Sequence, residues 1–179
     1  FLAWMPPDSG MAVVLVQHLD PNHHSALAEL LAAYTVMPVS VARDGMIPAA
    51  NTVSIIPPGS ILLMQNGQLR LAKAHTAKVR RSVVDMFLIS LARDQGANAV
   101  GIILSGFGSD GTIGMAEIQA CGGLTLCEAD DDNRAKLGMP QSAADAGFVD
   151  QVLRVEDMPA ALIAFKTQRA AAAASGRQS

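Results

Sequence analysis

Only two cysteines, Cys121 and Cys127, occur in 179 residues. That is too few for a disulfide framework. With one near an expected helix end and the other in the following strand, they read as reduced thiols of a cytosolic protein. Aromatic residues make up 4% of the chain and apolar residues 50%, a balance that suits aliphatic strands and Ala-rich helices packed in layers. Charged or strongly polar residues interrupt every apolar run before it reaches the roughly 18 residues that a membrane span needs, so no membrane insertion is expected. Charge of one sign is scarce as well. The net charge is -3 and the longest like-charged run is Asp130-Asp131-Asp132, which gives neither nucleic acid nor an anionic lipid surface a reason to bind. Arg80-Arg81 is the only basic pair and reads as part of a solvated loop. The chain opens at Phe1 with no initiator Met and no charged leader, so no signal peptide is visible and the sequence reads as a fragment of something longer.

What is present has a regular order. Residues 11–19 (MAVVLVQHL) form a Val-rich run that turns polar at its end, as a buried parallel strand does. Asp20-Pro21-Asn22 supplies a turn, and residues 25–33 (SALAELLAA) have helical spacing. Short strand-like pieces follow at 39–41, 52–56, 61–64 and 68–71, the last two joined by Asn66-Gly67, a strong hairpin signal. Helical periodicity returns over 83–93. A second buried strand is expected at 97–105, a helix at 111–120, a third strand at 124–128, and helices at 141–146 and 155–166. Strands alternating with helices predict an α/β fold: a doubly wound, mostly parallel sheet with helices on both faces and a β-hairpin insertion. The tail 170–179 (AAAAASGRQS) lacks apolar periodicity and reads as a linker.

Ligands of open parallel sheets bind beyond the carboxyl ends of the strands, so polar residues there come first. Two corners qualify, Gln17-His18-Leu19-Asp20-Pro21 and Leu104-Ser105-Gly106-Phe107-Gly108-Ser109-Asp110-Gly111. The second matches the G-x-G-x-x-G dinucleotide fingerprint from Gly106 to Gly111, with Glu128 near the place of a ribose-binding acid. Against that reading, Asp110 puts a carboxylate where an anionic pyrophosphate would seek the same N–H groups. The other reading pairs Asp110 with His18: a carboxylate at a strand end can fix an imidazole's tautomer and stabilise the imidazolium. The bland explanations are a strand-end histidine satisfied by its surroundings and an N-cap aspartate for the helix near Gly111. Spacing alone does not decide among these.

Six stretches in order carry a resemblance: Met5-Pro6-Pro7-Asp8-Ser9-Gly10, Val16-Gln17-His18-Leu19-Asp20-Pro21, Ile56-Pro57-Pro58, Gly101-Ile102-Ile103-Leu104-Ser105-Gly106, Gly108-Ser109-Asp110-Gly111 and Gly138-Met139-Pro140. Together they make the chain, up to about Lys166, similar to the catalytic domain of chemotaxis protein-glutamate methylesterases, above all the version fused to a receptor methyltransferase. The resemblance implies His18 as catalytic histidine, Asp110 as catalytic aspartate and the Phe107 backbone N–H as an oxyanion donor, where relatives carry Thr or Met. It implies hydrolysis of glutamyl methyl esters, with glutamine deamidation as a companion activity, on the cytoplasmic helices of methylated chemoreceptors. No cofactor is implied, and a fused receiver or methyltransferase domain is a potential companion.

The family's nucleophile lies in a Gly-x-Ser-x-Gly-Gly turn after its first strand, a turn absent from these 179 residues. By that spacing it falls before Phe1, so residues 1–168 are expected to be the catalytic domain without its first strand and nucleophile turn, followed by an Ala-rich tail at 169–179. This fragment is then expected to be inactive; a non-catalytic receptor-docking or regulatory role is the alternative. Ser9, Ser105 and Ser109 are not expected to replace the serine. His23-His24 with Asp20 do not complete a metal set, the methionines read as core filler, and His75 lies in a polar loop.

Overall fold

A computed structural model of the chain describes residues 1–18, 26–129 and 138–175. The Val-rich run gives β1 (Val13–Leu15), followed by α1 (Leu27–Ala32), β2 (Val39–Val41) and β3 (Val53–Ile55). β3 lies between β1 and β2, parallel to both. The hairpin β4 (Ser60–Gln65) and β5 (Gln68–Lys73) then pairs antiparallel. Its two turn residues, Asn66 and Gly67, have φ of 52° and 73°, the positive pair a tight hairpin turn requires. A short helix, α2 (Ala77–Arg80), follows, started by Thr76, whose hydroxyl accepts from Val79 N–H at 3.2 Å. The second half runs α3 (Val83–Gln95), β6 (Val100–Ile103), α4 (Thr112–Ala120), β7 (Leu124–Glu128), α5 (Met139–Asp145), β8 (Gln151–Leu153) and α6 (Met158–Ser175). β6, β7 and β8 form a parallel sheet with β7 central.

Helices cover both faces of the parallel sheets. One core gathers Val83, Phe87 and Leu88 of α3, Met115 and Ile118 of α4, and Met139 and Ala143 of α5. The other gathers Met158 and Leu162 of α6 with Leu27 and Leu31 of α1. Alternation along the strands feeds both cores: Val14, Val16 and Ile103 join the first, while Val13, Leu15, Val100, Ile102 and Leu104 join the second. Each core thus draws on strands of both three-stranded units.

The expected single sheet is nevertheless in two pieces. β1 ends one unit and β6 ends the other, and no ladder joins them among the described residues. The consequence is visible in burial. β3 and the first four residues of β7 are fully buried, whereas β1 is half-buried throughout and β6 alternates between half-buried and buried. Two strands with the composition of central strands therefore lie at sheet ends, where one hydrogen-bonding edge has no strand neighbour among the described residues.

Three further differences have local causes. β8 went unread because three residues, QVL, carry no periodicity of their own; its position is set by pairing with Leu126 to Glu128. α2 was hidden in what reads as a polar loop. The tail assigned to a linker continues α6 as far as Ser175, in keeping with alanine's helix propensity. The turn at Asp20-Pro21-Asn22 and the run Asp130-Asp131-Asp132 lie outside the described residues.

Candidate active site

His18 follows β1 and Asp110 precedes α4, and the fold brings them together: His18 Nε2 is 2.9 Å from Asp110 Oδ2. The His18 side chain is 41% exposed and that of Asp110 4%. A carboxylate only accepts, so the proton between them belongs to Nε2, and Nδ1 is the nitrogen left for other partners.

Burying Asp110 is made affordable by α3. The helix's own N-cap, Ser82, makes no side-chain cap bond, and Asp110 fills that role from another part of the chain. Its Oδ2 accepts from Val84 N–H at 3.0 Å and its Oδ1 from Asp85 N–H at 2.9 Å. Two otherwise orphaned donors and the positive end of the helix dipole hold the carboxylate in place. Asp110 is therefore a helix cap, but of α3 and not of the helix that follows it. Its partners on α3 could not be found from sequence, since nothing local marks a cap supplied from 25 residues away.

The turn from Gly106 to Gly111 is exposed up to Ser109 and closes on the buried Asp110. Phe107 stands 94% exposed at its crest. The turn is anchored by Gly106 C=O, which accepts from Met139 N–H at 2.9 Å, and by Gly108 C=O, which accepts from the Ser142 hydroxyl at 3.0 Å. Phe107 N–H has no acceptor among the described residues. Ser105 and Ser109 are exposed on this turn, and the Ser109 carbonyl accepts from Thr112 N–H. Ser9 is buried; its hydroxyl accepts from Met11 N–H at 3.3 Å and its carbonyl from Lys166 Nζ at 2.6 Å, a loop tie.

A cavity of about 350 Å³ opens beside His18, bordered by Gln17, Pro57, Ser60, Arg80 and Arg81 among others. Arg80 is held by a bond from Nη1 to Ala74 C=O at 3.2 Å, and Arg81 is exposed. Their composition alone suited a solvated loop; their place at the cavity wall follows from α2, which sequence did not reveal.

The dinucleotide fingerprint is filled in another way. Asp85 Oδ1 accepts from Gly114 N–H at 2.9 Å, so a carboxylate of the chain already occupies the helix terminus that would receive a pyrophosphate. Burial pushes the Asp85 carboxyl above its usual range. Hydrogen bonds from Gly114, Gly111 and Ile113 pull against this, and the nearby Asp110 charge adds to it. No group of three or more His, Cys, Asp or Glu residues that could hold a metal is found among the described residues; His23 and His24 lie outside them.

The CheB methylesterase family model matches residues 1–162. The chain belongs to the CheB methylesterase family. Relatives of that family include a protein-glutamate methylesterase/protein-glutamine glutaminase of Anaeromyxobacter dehalogenans, 35% identical over 90% of this chain and 47% of its own length. One from Pseudomonas aeruginosa is 35% identical over 87% of this chain and 46% of its own. An uncharacterised 104.1 kDa protein of Rhodobacter capsulatus is 42% identical over 73% of this chain but 13% of its own length. The chain thus spans about half the length of the curated methylesterases it matches, and far less of the Rhodobacter protein. Among solved structures, the catalytic domain of Thermotoga maritima CheB methylesterase superposes with a TM-score of 0.79 at 29% identity, covering 91% of this chain and 88% of that one. The CheB fold accounts for the parallel sheets with helices on both faces. Among the described residues, no helix is long and apolar enough to cross a membrane.

Proposed function

We propose that the full-length protein hydrolyses glutamyl methyl esters on chemoreceptor helices through a Ser-His-Asp mechanism in which His18 is the base and Asp110 its orienting partner. The observation that carries the reading is the 2.9 Å contact from His18 Nε2 to a buried Asp110 carboxylate. In the proposed reaction a serine hydroxyl attacks the ester carbonyl while His18 Nδ1 takes its proton. The tetrahedral oxyanion is met by Phe107 N–H, then collapses and expels methanol, which leaves with the proton from His18. Water, deprotonated by the same nitrogen, attacks the acyl-enzyme and frees the glutamate carboxylate and the serine. Replacing methanol by ammonia gives deamidation of glutamine by the same steps.

We assign the serine to a Gly-x-Ser-x-Gly-Gly turn upstream of Phe1, at the end of a strand lying between β1 and β6. The incomplete burial of β1 throughout and of alternate residues of β6, and the two cores they share, support this place for a strand. The nucleophile turn would then emerge at the same carboxyl edge as His18 and Asp110. Methanol release from methylated receptor, measured with the full-length protein and with residues 1–179 alone, tests the reading. Release is expected from the first only; release by neither would leave a non-catalytic docking role.

A further inference from the structure

α3 and α4 exchange their N-terminal caps. Asp110, the residue before the α4 N-cap, accepts from Val84 and Asp85 at the start of α3, while Asp85, in the first turn of α3, accepts from Gly114 at the start of α4. Neither helix caps itself: Ser82 makes no cap bond, and Gly111, with φ of 97°, has no side chain to offer. The seam is also close. A Cβ on Gly111 would lie 2.9 Å from Ile103 Cδ1 and 3.0 Å from Val84 Cγ1, and one on Gly114 would collide with Leu88. The turn that carries Asp110 therefore has little room to move while both caps are made.

We propose that Asp85 is a positioning residue for the His18–Asp110 pair, holding the first turn of α4 so that Asp110 Oδ2 stays aimed at Nε2. This rests on the reading of His18 and Asp110 given above. Asp85 does not border the cavity beside His18; it acts through Asp110. Burial, and then the neighbouring Asp110 charge, push the Asp85 carboxyl above its usual range, so its place in the seam is not explained by charge alone. What Asp85 provides is an acceptor of the right reach on the helix that Asp110 itself caps, so that each carboxylate fixes the backbone carrying the other.

The test reads His18 directly. In residues 1–179, the ¹⁵N shifts of the His18 ring, taken at a pH where the ring is neutral, report which nitrogen carries the proton. Wild type is expected as the Nε2–H form. Asp85→Ala is expected to move toward the mixture of a free imidazole, and Asp85→Asn, with one acceptor oxygen kept, to lie between. Asp44→Ala, which removes the acceptor of Leu71 N–H on the β4–β5 hairpin, is a control away from α4 and is expected to leave the ring unchanged. In the full-length protein, Asp85→Ala should lower kcat by roughly 10- to 100-fold with little change in KM, the scale of a small misplacement of a reacting group. Asp85→Ser, whose hydroxyl is too short to reach Gly114 N–H, serves if Asp85→Ala does not fold. A wild-type tautomer in folded Asp85→Ala or Asp85→Ser overturns the proposal, as does failure of both to fold, which would assign Asp85 to the fold alone. An inactive full-length wild type with the ring shifts as expected would sink the methylesterase reading and leave the positioning role standing.

Discussion

Asp110 and His18 are 92 positions apart in the chain, yet one carboxylate oxygen of Asp110 is 2.9 Å from His18 Nε2 and also holds the first turn of α3. A single side chain thereby ties the candidate catalytic histidine to the frame of the fold. Asp110→Ala should cost stability as well as activity, because Val84 and Asp85 N–H lose their acceptor; about 1–3 kcal/mol is the scale for such orphaned groups. Asp110→Asn keeps an acceptor for α3, so its stability loss should be smaller. Its effect on turnover in the full-length protein should still approach about 10⁴-fold, the loss known for the equivalent change in serine protease triads. Urea unfolding and ester hydrolysis measured on the same two variants separate these roles.

Phe107 is proposed to act through its backbone. Phe107→Ala should therefore leave kcat nearly intact, whereas Phe107→Pro, lacking the N–H, should lose about 10²–10³-fold, as removal of one oxyanion donor does. A large kcat loss in Phe107→Ala would transfer the role to the side chain.

Nicotinamide and flavin dinucleotides should show no saturable heat on titration into residues 1–179. The Gly106 to Gly111 turn fits the fingerprint, but the helix terminus behind it already has the Asp85 carboxylate on Gly114 N–H. Micromolar binding of either cofactor would mean that this carboxylate can be displaced.

Asp150 links α4, β7 and the loop before β8. Its Oδ2 accepts from both Thr125 N–H and the Thr125 hydroxyl at 2.8 Å, and its Oδ1 from Gln119 at 3.1 Å. Burial alone would raise its pKa; the bonds from Gln119 and Thr125 outweigh burial and hold it below the usual range. A carboxyl depressed in the fold contributes stability that is complete above its unfolded value, about 3.9, and is lost as pH falls through the folded value. The stability gap between wild type and Asp150→Ala should thus be constant near neutrality and shrink below about pH 4. Chemical unfolding across pH 3 to 7 measures it; a gap that widens in acid would contradict the bonding described.

The α/β class, the hairpin and most elements were legible because each rests on a local signal: Val-rich runs, Asn66-Gly67, and helical spacing over 83–93. His18 and Asp110 were legible as polar strand-end residues, and their pairing as one of two readings that spacing left open. The pairing depends on the corners after β1 and before α4 meeting across 92 positions, and the family resemblance, not spacing, favoured it. Caps exchanged between α3 and α4 left no mark, since Asp110 and Asp85 lie 25 positions apart and nothing local ties either to the other's helix. The division of the sheet left no local mark: the runs at 11–19 and 97–105 read as buried strands, and burial that is incomplete throughout β1 and at alternate residues of β6 is visible only in the structure.

That division has a measurable outcome. In residues 1–179, amides of β1 and β6 on the edges that have no strand neighbour among the described residues should exchange with deuterium faster than those of β3 and β7, and in the full-length protein they should become protected. Equal protection in both proteins would argue against a strand between them.

The most direct test of the account is methanol release from methylated chemoreceptor by the full-length protein and its His18→Ala variant. Turnover is expected in wild type, with a loss of several orders of magnitude in His18→Ala and no turnover from residues 1–179 alone. Undiminished release by His18→Ala, or robust release by residues 1–179, would contradict it.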